Sequence, residues 1–241
     1  MEIRDATAVV TGAGGGLGRR LIQELLARGV ARVYAAGRTE GSVRDVVALD
    51  PDVVVPLVLD ITSESDASAA AGIASDANLV FNNAGVMAFG APLGVDLYAV
   101  ERDLTTNVIG TLRVTQAFVP VLEANGGGTI VNTLSLLSLA PVTGMSPYSA
   151  SKAASHSFTQ SLRHELAARG IAVLGVYPGP MDTPMLDGVQ APKAKPEDVA
   201  KAILDAVEAG EEYIAPDEFS AQAYAGYRSD PSSLETMLAA F

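Results

Sequence analysis

The chain has 241 residues, with 16 Lys and Arg against 28 Asp and Glu, giving a formal net charge of −12 at pH 7. That acidity argues against a nucleic-acid groove, which needs a dense field of cations. The absence of cysteine excludes disulfides, thiolate chemistry, iron–sulfur clusters and Cys-ligated zinc, and two histidines are too few for a His-rich metal centre. Apolar residues make up 49% of the chain, ample for one buried core, while 23 glycines and 13 prolines fall short of low-complexity disorder.

In chain order, short apolar runs alternate with longer helical patterns. Strand-like runs lie at 6–11, 32–36, 53–59, 78–81, 128–133 and 171–177, with a short edge candidate at 212–215. Most are apolar throughout rather than alternating, the pattern of parallel strands covered on both faces. Helical patterns fall at 17–28, 41–49, 63–75, 96–124, 147–169 and 196–209; Leu17, Leu21 and Leu25 mark the period of the first. Pro196, Glu197 and Asp198 form a helix start, with proline early and acids in the first turn. Repeated strand-then-helix units imply right-handed crossovers and an α/β fold of the Rossmann type, a doubly wound parallel sheet. With no repeat or composition break, 1–241 is read as one domain, with a cofactor half at about 1–130 and a catalytic and substrate half at about 131–241. Residues 124–151 carry no charge, but Asn, Thr, Ser, Gly and two prolines deny them ~18 consecutive apolar residues. The charged start Met1–Asp5 lacks the apolar stretch of an export signal, so a cytoplasmic, soluble protein is expected.

Thr11-Gly12-Ala13-Gly14-Gly15-Gly16-Leu17-Gly18 follows the first strand and opens the first helix. Glycines there let the backbone turn tightly and approach a pyrophosphate, which can rest on free N–H groups at the helix N-terminus. A plain tight turn is the competing reading. The spacing Thr-Gly-x-x-x-Gly-x-Gly resembles that of the short-chain dehydrogenase/reductase family. The resemblance recurs in order at Asn82-Asn83-Ala84-Gly85, Asn107, Tyr148-x-x-x-Lys152 and Pro178-Gly179-x-x-x-Thr183, and so covers essentially the whole chain.

Tyr148 and Lys152 are four apart on a predicted helix, so their side chains share a face about 6 Å apart. A phenol with a reference pKa of about 10 is a poor acid near neutrality, and a neighbouring ammonium is expected to lower it toward the useful range. The resemblance implies that Tyr148 gives a proton to a carbonyl oxygen while a nicotinamide gives hydride to the carbon, with Lys152 also holding the nicotinamide ribose. It implies that Ser135, thirteen residues before Tyr148, binds the substrate oxygen, and that Asn107 kinks its helix and holds a water linked to the lysine. Leu134 stands where the family often has a second serine. Ser138 and Ser146 read as turn residues, and His156 and His164 as surface or packing residues. Ser135 lacks the Gly-x-Ser-x-Gly setting of a hydrolase.

By the same resemblance, Gly12, Gly14, Gly15, Gly16, Leu17 and Gly18 cradle the phosphates. Asp60, with Ile61 beside it, reads the adenine; Asn83, Ala84 and Gly85 line the adenosine ribose; and Thr183, after the cofactor-binding candidates Pro178 and Gly179, contacts the carboxamide. Helix capping near Ser63 is the competing role for Asp60. Gly37 occupies the place of the acid that binds a ribose 2′-OH, and Arg38 follows, which points to NADP(H), with NAD(H) use possible through Glu40. Leu136, Leu137, Met145, Met181, Met185 and Leu186, with Val86 and Met87, are expected to line an apolar pocket for a small neutral hydrophobic ketone or alcohol. No nucleic acid, membrane or metal is expected to be a partner. A homotetramer or homodimer is, through helices 96–124 and 147–169 with Val114, Phe118, Phe158 and Leu162 in excess of sheet packing. The reading is an NADPH-dependent carbonyl reductase. Its alternatives are an NAD-dependent secondary alcohol dehydrogenase and a dinucleotide-sensing regulator without turnover, the latter expected to lack the Tyr or Lys.

Overall fold

Continuous apolar strands need cover on both faces, and the computed structural model, which describes residues 1–239, gives them that cover. Seven strands, β1 (Thr7–Thr11), β2 (Arg32–Gly37), β3 (Val54–Val58), β4 (Leu79–Asn82), β5 (Gly128–Thr133), β6 (Ile171–Val176) and β7 (Tyr213–Ile214), pair in parallel in the order β3-β2-β1-β4-β5-β6-β7. The chain winds outward from β1 to β3, then returns to the centre and winds the other way from β4. The order therefore reverses between β1 and β4, and a crevice opens there at the carboxyl ends of the strands.

One face is covered by α1 (Gly16–Ala27), the short α2 (Arg44–Val47) and α7 (Pro196–Ala209). Leu21, Ile22 and Leu25 pack there with Val199, Ile203 and Leu204 against Val10 and Phe81. The other face is covered by α3 (Glu64–Ile73), α5 (Thr111–Ala124) and α6 (Ser146–Ala167), with Val114, Phe118, Leu122 and Leu166 over Val9, Val80 and Ile130. At about 25 cal/mol per Å² of apolar surface, these two layers are the main source of stability.

Several expected elements differ. The single helix expected over 96–124 is three segments: α4 (Leu97–Leu104), a π-helical stretch Thr105–Gly110, and α5. The period is broken where Asn107 turns its side chain to neighbouring backbone, an outlet that asparagine offers in place of the helix ladder. The helix expected over 41–49 shrinks to a 3₁₀ turn, Glu40–Ser42, and α2, because the Thr39 side chain caps the turn at Ser42. Two C-terminal helices, α8 (Glu218–Ser229) and α9 (Pro231–Leu238), were not anticipated. Each starts at an aspartate cap, Asp217 and Asp230, and they bury Ala223, Leu234 and Leu238 against Leu134 and Tyr177.

This third cluster corrects the pocket list, since Leu136, expected at the substrate pocket, is 2% exposed within it and Leu137 packs against its edge. Val114 and Phe118 are fully buried against the sheet, so they leave no apolar surface for a second subunit; Leu162 also packs inward, and Phe158 remains exposed. Between Thr183 and α7 only one short 3₁₀ turn forms, Pro184–Leu186, as the prolines and Gly188 dictate. Among the described residues no helix is long and apolar enough to cross a membrane.

Candidate active site

The crevice at the strand reversal is a cleft of about 1540 Å³ that runs from the glycine turn to Tyr148. At its β1 end the chain must turn sharply into α1. Gly12 does this with φ of 64°, a left-handed conformation that glycine adopts without strain. A Cβ on Gly16 would lie 2.6 Å from Thr183 Cγ2, so the bare backbone here keeps the two walls close. The cap of α1 is Gly15, which offers no side-chain acceptor, and no acidic residue stands in the first turn. The first-turn N–H groups and the positive end of the helix dipole therefore lie open to an anion in the cleft. This is the chemistry a pyrophosphate requires, so the residues present fit a dinucleotide.

Thr11 joins this turn to the next. Its buried Oγ1 donates to Phe81 O at 3.1 Å and accepts the N–H groups of Asn83 at 2.9 Å and Ala84 at 3.0 Å. Asn83 Nδ2 donates back to Thr11 O at 3.0 Å. The Asn83–Gly85 turn is thereby fixed to the end of β1, with Asn83, Ala84 and Gly85 all on the cleft wall. Asn82 does not reach the cleft; its side chain donates to Thr115 Oγ1 and Asn132 Oδ1 beneath it.

On the rim, Arg38 is exposed at the end of β2 and lines the cleft with Gly37, Asp60 and Ile61. Asp60 Oδ1 accepts from Thr62 N and Thr62 Oγ1, which, with the nearby Arg38 cation, hold its carboxyl below the usual range. The capping role belongs to Ser63, which accepts from Asp66 N. Pro178 and Thr183 line the far wall, and Gly179 N–H is fixed by Asp217 Oδ2 at 2.9 Å. Asp217 thus ties α8 to the cleft, a contact without any sequence signal near the motif.

At the deep end, Tyr148 and Lys152 face the cleft from one side of α6, with Lys152 Nζ 5.6 Å from the Tyr148 ring centre. Lys152 Nζ donates to Thr133 O at 2.7 Å. Burial drives its pKa down to about 8, and the negative charge of Asp103 opposes that fall. Tyr148 differs from the expectation: burial pushes its phenol up to about 12, the Ser135 hydroxyl pulls the other way, and Asp103 adds to the rise. Desolvation of the ring dominates, and the Lys152 cation brings no offsetting fall.

Ser135 caps the 3₁₀ turn Leu136–Ser138, its Oγ accepting from Leu137 N at 3.1 Å, which aims the hydroxyl back toward Tyr148. Ser138 and Ser146 bond to Ser135 O and Thr143 O respectively, as turn residues do. His156 bonds through Nδ1 to Tyr177 OH at 2.8 Å, within a stack of tyrosines away from the cleft.

Asn107 sits in the π-helical stretch, 2% exposed. Its Oδ1 accepts Val86 N–H at 2.9 Å, while Nδ2 donates to Val86 O and Ser151 Oγ, both at 2.9 Å. Its backbone carbonyl accepts from Ser155 Oγ at 3.0 Å. Ser151 and Ser155 were missed from the sequence; their spacing of three and seven residues from Tyr148, on the face turned to Asn107, is the signal that could have found them. Of the expected pocket residues, Met181 and Met185 line the cleft with Val86 and Met87. Met145 instead bridges to Gly90, and Leu186 turns its carbonyl to Lys193.

The pattern of the short chain dehydrogenase family matches residues 6–194. The chain belongs to that family. An uncharacterized oxidoreductase of Staphylococcus saprophyticus is 32% identical over 219 residues, spanning 86% of this chain and 93% of that protein. Among solved structures, a short chain dehydrogenase of Burkholderia cenocepacia, described as a complex with NADP, is 36% identical with a TM-score of 0.92, covering 99% of each chain. A short-chain dehydrogenase of Streptomyces avermitilis is 26% identical with a TM-score of 0.85, covering 96% of each.

Proposed function

We propose that the protein is an NADPH-dependent reductase of ketones, running in reverse as a secondary alcohol dehydrogenase. The observation that carries this reading is the meeting of Tyr148, Lys152 and Ser135 at one end of a cleft whose other end is an uncapped helix N-terminus behind a glycine turn. The similarity to the Burkholderia cenocepacia protein, described with NADP, supports the choice of cofactor, as does the exposed Arg38 directly after Gly37, which stands where NAD users carry an acid.

Gly12, Gly14, Gly15, Gly16, Leu17 and Gly18 would hold the pyrophosphate, Arg38 the 2′-phosphate, and Asp60 with Ile61 the adenine. Asn83–Gly85 would meet the adenosine ribose, Lys152 with Tyr148 the nicotinamide ribose, and Pro178, Gly179 and Thr183 the carboxamide. When bound, such a cofactor supplies a hydride for the carbonyl carbon. Tyr148 donates its phenolic proton to the carbonyl oxygen as negative charge builds there, so hydride and proton together complete the alcohol. Ser135 Oγ hydrogen-bonds the same oxygen and stabilises that charge in a site shielded from water. Lys152, held as an ammonium against Thr133 O, lowers the cost of leaving a phenolate behind. The cleft wall of Val86, Met87, Met181 and Met185 favours neutral, hydrophobic substrates, and the short 184–195 segment leaves room for bulky aryl ketones.

A carbonyl panel followed by NADPH absorbance tests the reading. Tyr148→Phe is expected to abolish reduction while NADPH still binds; a variant that keeps more than a few per cent of wild-type turnover refutes the assignment. Efficiency that collapses once the second ketone substituent exceeds a few carbons refutes the open pocket.

A further inference from the structure

Asp103 is a carboxylate with no exposed side-chain surface that the reaction leaves without a part. It lies in the last turn of α4, one helical turn before Asn107. An ionised carboxylate is costly to bury unless partners hold it, so its partners define its task. Oδ2 accepts Ala88 N–H at 2.8 Å, and Oδ1 accepts from Arg102 Nη2 at 3.0 Å and Nε at 3.3 Å. Arg102 stands on the cleft rim with its side chain 54% exposed, so water screens it and it compensates Asp103 only in part. Asn107, four residues on, grips Val86 by both its N–H and its carbonyl. Two side chains of one helical face thus clasp both ends of the Val86–Ala88 stretch, of which Val86 and Met87 line the cleft.

We propose that Asp103 is a positioning residue of this site, which with Asn107 pins the Val86–Ala88 wall and presents a buried negative charge to the Tyr148–Lys152 pair. The proposal rests on the carbonyl-reductase reading of the cleft. The field of Asp103 acts on both members of the pair in one direction: it opposes the fall at Lys152 and adds to the rise at Tyr148. Each effect keeps a proton in place, making Lys152 an ammonium and Tyr148 a phenol, the state that reduction needs. The groups that hydrogen-bond the pair are uncharged, the Thr133 carbonyl from β5 and the Ser135 hydroxyl from the turn after it, while the other charged side chains lining the same cleft are Arg38 and Asp60 on the rim and Asp96, Glu101 and Arg102 at α4. On α4 the charged neighbour of Asp103 is Arg102.

Asp103→Asn keeps the shape and an acceptor for Ala88 N–H but removes the charge. The high-pH limb of kcat/KM for reduction is expected to move to lower pH by about half a unit or more, as loss of a nearby opposite charge demands at Lys152. Arg102→Ala leaves the Ala88 bond and removes the compensating cation, so the limb is expected to move to higher pH. Limbs that stay in place, or move in the same direction in both variants, overturn the electrostatic role. A second readout needs no turnover: the Nζ resonance of Lys152, one of four lysines, titrated in ¹⁵N-lysine protein and assigned with Lys152→Met. Its midpoint falls in Asp103→Asn if the proposal holds, and an unmoved midpoint overturns it even if wild type reduces no carbonyl, an outcome that counts against the reductase reading instead. Asp103→Ala removes the acceptor as well and should speed hydrogen exchange of the Ala88 amide about tenfold; unchanged protection overturns the pinning.

Discussion

Replacing Thr11 by Val changes little in shape and removes one hydroxyl, yet that oxygen carries three hydrogen bonds joining β1 to the Asn83–Gly85 turn. Phe81 O keeps its place in the parallel ladder with β1, so its loss is minor. The amides of Asn83 and Ala84 lose their acceptor and gain a methyl group in its place. Leaving a buried donor unpaired costs ~1–3 kcal/mol, and since both amides are half-buried the lower part of that range applies to each. The extra buried methyl returns about 0.8 kcal/mol. The net destabilisation is about 1–3 kcal/mol, which for a chain of this size lowers Tm by roughly 2–12 °C. Thr11→Ser keeps the oxygen and should lose only about 1 kcal/mol, from a small cavity. Thermal melts followed by circular dichroism give the stability, and NADPH fluorescence titration gives the effect on the cleft, where a loosened turn should weaken binding several-fold. If Thr11→Val melts within about 2 °C of wild type while Thr11→Ser is the more damaged variant, packing rather than hydrogen bonding holds the turn and the reasoning fails.

Arg38→Asp should shift the ratio of catalytic efficiencies from NADPH toward NADH by about tenfold or more, the value of a charge-assisted contact; an unchanged ratio removes Arg38 from 2′-phosphate recognition. Lys152 titrates near 8 when folded against 10.5 as a free side chain, so between about pH 8 and 10 the unfolded chain holds a proton that the folded chain has released. Stability therefore rises with pH across that window, and turns down above 10 as the unfolded chain ionises a tyrosine that Tyr148 keeps protonated to about 12. A flat profile of Tm from pH 8 to 10 contradicts the burial of Lys152, and Lys152→Met should remove the rise. Light scattering should give a mass that is a multiple of 24.8 kDa, because Ile109 and Phe158 leave apolar surface on the helices beside the sheet; a monomer refutes that assembly.

The sequence by itself determined the order of the strands, the helices between them up to α7 apart from the break at Asn107, the parallel sheet, the glycine turn Gly12–Gly18 and the Tyr148–Lys152 pair, while Asn107 and Ser135 were found through the family resemblance. The strands, the helices and the Tyr148–Lys152 pair are legible because each depends on local pattern: an apolar run, a helical period, or a spacing of four that puts two side chains on one face. What only the tertiary structure decided depends on contacts between distant segments. Leu136 reads as apolar in the sequence, but whether it faces substrate or core is set by α9, nearly a hundred residues later. Val114 and Phe118 look equally suited to a subunit interface and to a sheet, and the sheet took them. The phenol of Tyr148 illustrates the same point in electrostatics, since spacing predicts a helpful cation while the depth of the cleft, which no spacing encodes, makes desolvation the larger effect. Asp103 was invisible for this reason too. An acid beside an arginine on a helix is an ordinary surface pair, and only the fold buries it against Ala88 and turns its charge toward the reacting end of the cleft.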